Sequence, residues 1–93
     1  MITLLSSNTN TVSDLPVGLS HPRGYSTIRI QVDFPPGTTG TIELFARIDP
    51  VLQYVSLGTY AANAVVALDH CEFFRAALTG VSGGGVVTVG IQV

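Results

Sequence analysis

The feature that most constrains this chain is a side-chain period of two that recurs in short runs. Ile28, Ile30 and Val32 alternate with Thr27, Arg29, Gln31 and Asp33, and Ile42, Leu44, Ala46 and Ile48 alternate with Thr41, Glu43, Phe45 and Arg47. Further on, Phe74, Ala76 and Leu78 alternate with Phe73, Arg75, Ala77 and Thr79, and Val87, Val89, Ile91 and Val93 form a last row. Successive side chains of a strand point to opposite faces, so each run presents one apolar and one polar row, which a period of 3.6 cannot do. Turn formers separate the runs: Pro35-Pro36-Gly37, Asp49-Pro50 and the Gly80 to Gly85 segment. Tyr54 to Leu57 and Val65 to Leu68 add shorter strands, the second within an alanine-rich stretch that also has helix propensity.

Short strands with turn signals roughly every 8 to 12 residues predict an all-β chain, an antiparallel β-sandwich or jelly-roll-like domain of about six to eight strands. Within it, the runs at 28–32 and 42–48 are expected to pair as a hairpin, and Gly80 to Gly85 to form a hairpin loop before the last strand. The start of the chain reads differently. Ser6 to Ser13 is almost wholly Ser, Thr and Asn, and Leu15-Pro16-Val17-Gly18 and His21-Pro22-Arg23-Gly24 interrupt any ladder because proline lacks an N–H. Residues 1–24 are therefore expected to be an extended N-terminal arm, with at most a short edge strand in Thr9 to Ser13, and residues 25–93 the sandwich domain. A chain of 93 residues has room for one core.

Composition narrows the function. Hydrophobic residues make up 46% and charged residues only 11%, little to spread over a solvated surface, which favours a chain partly covered by another subunit. All four cations are arginines and the net charge is −2, so the cationic patch that phosphate neutralisation requires is missing and no nucleic acid partner is expected. No apolar stretch approaches the roughly 18 residues that span a membrane, and the N-terminus lacks a signal-peptide pattern, so the product is expected to be soluble and made in the cytoplasm.

Candidate chemistry is sparse. Cys71 is the single cysteine and excludes an intramolecular disulfide; its neighbour His70 points to the opposite side of an extended segment, so the two make no dyad. Asp49, Asp69, His70 and Glu72 sit at strand ends without the repeated carboxylates of a calcium loop, and a solvated turn is the better reading. Gly80 to Gly85 lacks the Lys-Ser/Thr ending and following helix of a phosphate loop. No G-x-S-x-G elbow occurs. The expectation is no enzyme activity, no cofactor and no metal.

The polar rows are more informative. Arg29, Arg47 and Arg75 lie on predicted strands, with Phe45 and Phe73 two residues before the second and third, on the same face. Such neighbours form ion pairs or cation–π contacts, and an outward row of arginine and aromatics matches the composition of protein interfaces. Phe45, Arg47, Phe73, Arg75 and Arg29 are thus the candidate interface residues; the competing reading covers this face with the arm.

Gly40 to Asp49, then Tyr54 to Gly58, then Phe74 to Val89, about two thirds of the chain, resemble small β-sandwich structural proteins of tailed-phage virions. The resemblance implies a capsid decoration, cement or head-fibre protein, or a minor tail component. Such proteins assemble as trimers or other rings on the major capsid protein or other virion proteins, so the implied localisation is the virion. It brings no catalytic residues. The competing class is a carbohydrate-binding sandwich in which Tyr25, Tyr54 or Tyr60 stacks on a sugar, although tryptophan, the best stacking residue, is absent.

Overall fold

The alternating runs become strands of two antiparallel sheets in a computed structural model that describes residues 2–16, 27–69 and 71–92. The strands are β1 (Ile2–Ser7), β2 (Thr11–Pro16), β3 (Thr27–Asp33), β4 (Thr39–Arg47), β5 (Val55–Tyr60), β6 (Ala64–Asp69), β7 (Phe73–Ser82) and β8 (Val87–Ile91). One sheet has the order β1-β8-β3-β6 and the other β2-β7-β4-β5. First pairs with last throughout: β1 with β8, β2 with β7, β3 with β6 and β4 with β5, all antiparallel. The chain is one long folded ribbon, wound so that β8 also pairs with β3 and β7 with β4. This nested order is that of an eight-stranded jelly roll, a form of β-sandwich.

The core follows the predicted rows. Ile28, Ile30 and Val32 from one sheet face Ile42, Leu44, Ala46, Phe74, Ala76 and Leu78 from the other, and Val87, Val89 and Ile91 complete it, all buried. Ile48, expected in the same inward row, lies one residue beyond the end of β4 and is exposed.

The runs at 28–32 and 42–48 do not pair as a hairpin; they lie in opposite sheets. Their apolar rows pack face to face instead of side by side, and a period of two is the same in either arrangement. The crossing is built locally. Thr38 N–H donates to the Pro35 carbonyl (3.0 Å), Phe34 N–H donates to Asn63 Oδ1 (2.6 Å), and the Phe34 side chain is buried. Likewise, the glycine loop after β7 carries the chain from one sheet to the other and is not a hairpin loop. Gly83 (φ 105°) lies against the Gly37 carbonyl, and Gly85 N–H donates to Thr38 Oγ1 (3.0 Å), so the two crossings brace each other.

The expected arm is corrected as far as residue 16. Residues 2–7 form an edge strand on β8, and residues 11–16 extend the other sheet beside β7. Leu4 and Leu5 are adjacent yet both buried, because the register slips between Thr3 and Leu5. A bulge sets two residues against one and re-aims their side chains. The sandwich thus includes residues assigned to the arm from sequence; residues 17–24 of that arm, and Tyr25, lie outside the described residues.

Candidate functional site

The outer face of the β2-β7-β4-β5 sheet gathers four of the five candidate residues. On β4 and β7 the odd-numbered side chains point away from the core, and the register sets Phe45 opposite Arg75 and Arg47 opposite Phe73. Aromatic and cation therefore alternate both along and across the strands. β2 adds Asp14 opposite Arg75. Arg75 donates to both carboxylate oxygens, Nε to Oδ1 at 2.6 Å and Nη2 to Oδ2 at 3.0 Å. This forked pair matches the planar geometries of guanidinium and carboxylate. The hydrogen bond holds the Asp14 carboxyl below its ordinary pKa and the Arg75 guanidinium above its own. Both side chains are substantially exposed, so the pair orients Arg75 more than it stabilises the fold.

Tyr54, in the turn between β4 and β5, closes the cluster. The Arg75 guanidinium carbon is 4.1 Å from its ring centroid and that of Arg47 is 4.4 Å. Arg47 also lies 5.3 Å from the centre of the Phe73 ring. Its Nη1 donates to the carbonyls of Pro50 (3.1 Å) and Leu52 (3.2 Å), while its buried Nε has no partner among the described residues. A guanidinium stacked on aromatic rings has its edge free for backbone carbonyls, and here that edge ties down the turn. On the next rung Ser56 Oγ donates to Glu43 Oε2 at 2.7 Å.

Sequence reasoning missed what surrounds this cluster. Of the large hydrophobic side chains that are exposed, Ile48, Val51, Leu52, Val55 and Leu57 all come from one hairpin, and Val51 is 88% exposed. The signal was available: alternation stops at Asp49-Pro50 while apolar residues continue. Apolar residues that keep no strand period have no single face to bury.

Arg29 does not join the cluster, because β3 belongs to the other sheet, where its exposed odd-numbered residues face away from the core. Tyr60 is half-buried and packs on the core. Cys71 also packs there; burial, with Asp69 and Glu72 nearby, raises its thiol pKa, which leaves it a poor nucleophile at neutral pH. His70 lies outside the described residues. Among the described residues, no group of three or more His, Cys, Asp or Glu is placed to hold a metal ion, and no helix is long and apolar enough to cross a membrane.

The chain matches no protein-family model, no curated protein and no solved structure.

Proposed function

We propose that this chain is a non-enzymatic structural protein of a tailed-phage virion, an oligomeric capsid decoration or cement subunit that binds its neighbours through the outer face of the β2-β7-β4-β5 sheet. The observation that carries the reading is the concentration of exposed apolar side chains in the 48–57 hairpin, whose turn is tied by Arg47 and Tyr54 to the stacked cluster with Phe73 and Arg75. Exposed apolar side chains near aromatic and arginine anchors are what interface cores use. Jelly rolls occur in capsid proteins, lectins and cupins alike, so the fold leaves the choice to the surface. The virion assignment within this class rests on the sequence resemblance of residues 40–49, 54–58 and 74–89.

The carbohydrate-binding alternative needs an aromatic ring free to stack. Tyr54 already has two guanidinium groups against it, and Tyr60 is packed on the core. That arrangement favours the assembly reading.

Light scattering on the purified protein over a range of concentrations tests the self-association. A trimer or larger ring is expected, which Leu52→Asp lowers in mass while the β-sheet circular dichroism signal stays. A monomer at every concentration would overturn it. The virion assignment is tested by peptide mass spectrometry of phage particles from the source strain, in which the chain should co-purify with the shell proteins; particles that lack it would exclude that role.

A further inference from the structure

The two sheets have four edge strands, and three carry a device that discourages pairing. β1 and β5 are interrupted by bulges, at Thr3/Leu5 and opposite Leu44/Phe45. β2 ends at Pro16 and carries the charge of Asp14. Bulges, prolines and charges are how sheets avoid edge-to-edge association. β6 has none of these until its last residue. Its sequence is Ala-Val-Val-Ala-Leu-Asp, its register with β3 runs unbroken from Ala64 to Asp69, and among the described residues nothing pairs with its other side.

The free hydrogen-bonding groups on that side can be assigned. Gln92 N–H donates to the Arg29 carbonyl, so the odd-numbered peptide groups of β3 face β8 and the even-numbered ones face β6. Ile28, Ile30 and Val32 then bond to Leu68, Val66 and Ala64. The N–H and C=O groups of Val65, Ala67 and Asp69 point outward along this edge, where they have no strand partner among the described residues.

The geometry points to a second copy of this chain as the occupant, paired antiparallel through β6 about a two-fold axis at Ala67. Directly opposed residues share a face, so the axis must keep odd-numbered residues opposite odd-numbered ones. Placed at Ala67, it sets Val65 opposite the other copy's Asp69 and Ala67 opposite itself, with about six interchain backbone hydrogen bonds. An axis at Val66 or Leu68 forms fewer within the strand. The charges agree with this register. Arg29, opposite Ala67 on the same exposed face, forms no ion pair among the described residues. Strand spacing and rise put its Cα about 12 Å from that of the other copy's Asp69, a gap the extended side chains close. The two Asp69 carboxylates are kept at opposite ends. The contact is isologous and closed, and it joins two four-stranded sheets into one.

This contact is independent of the hairpin face, and its test separates the two. In a Cys71→Ser background, Ala67→Cys should give a covalent dimer with a short bismaleimide, and Ser6→Cys, exposed on β1 at the opposite edge of the same sheet, should not. Ala67→Lys puts like charges on the axis and should weaken the dimer by roughly several-fold, without changing the circular dichroism spectrum. Mixing it with Ala67→Glu should restore a heterodimer. Leu52→Asp should leave the Ala67→Cys cross-link intact. Absence of the cross-link, equal cross-linking at residue 6, or failure of the charge-swapped mixture to pair would overturn the β6 contact, whatever becomes of the hairpin surface.

Discussion

Replacing Leu5 by alanine tests whether the first strand belongs to the core. Leu5 is 2% exposed and lies opposite Val89, itself fully buried. Truncating a buried leucine removes its transfer free energy and leaves a cavity, together about 2 to 5 kcal/mol. β1 is an edge strand with a bulge at this point, so the site can partly collapse, and the middle of that range, about 3 kcal/mol, is the expected loss. Domains of this size unfold with about 5 to 15 kcal/mol and shift in Tm by about 4 to 8 °C per kcal/mol, so the variant should melt at least about 12 °C lower. Val12→Ala on β2, where the side chain is 60% exposed, is the control and should change stability by less than about 0.5 kcal/mol. Urea denaturation of both variants with a common m-value gives the comparison. A Leu5→Ala loss below about 1 kcal/mol would mean that residues 2–7 are an appendage and would refute the placement of β1 in the sandwich.

Gly83→Ala should destabilise more than Gly84→Ala. Both glycines have positive φ, but a Cβ at 83 would meet the Gly37 carbonyl and Thr38 Cα, whereas at 84 it meets open space; thermal melts should rank them with the second near about 1 kcal/mol. The Asp14 carboxyl has a lowered pKa in the fold, so its contribution, at most about 1 kcal/mol for an exposed pair, is present above the ordinary carboxylate pKa and disappears as pH falls through the folded value. The stability gap between the parent and Asp14→Asn should therefore close towards strongly acidic pH in denaturation curves. Arg47→Ala removes the stacking on Tyr54 and Phe73 and both carbonyl contacts, and should cost about 1 to 2 kcal/mol and speed amide exchange in residues 51–54.

The strands and their inward faces were legible because burial on one side imposes a period of two on residues such as Ile30, Leu44 and Val89. Pairing was not, because alternation describes one strand at a time. Nothing in 28–32 says whether its neighbour is 42–48 or, as found, 64–69 and 87–91. Leu4-Leu5 escaped notice because a bulge breaks the alternation, so two buried leucines look like part of a polar, irregular segment. At the candidate site, Phe45, Arg47, Phe73 and Arg75 could be grouped from their shared face. Asp14 could not, since it reaches Arg75 from 61 residues away, and Tyr54 could not, since it arrives from a turn.

The nested pairing of strands also sets an order of events in folding. Among the paired strands only β4 and β5 follow one another in the chain, so their pairing carries the smallest loop-closure entropy, and each further pair closes onto one already made. The ribbon zips outward from Ile42–Tyr60 towards Ile2–Ile91. Substitutions in the central hairpin should slow refolding, those in β1 should mainly speed unfolding, and on the ribosome β1 has to wait for β8 to emerge before it has a partner.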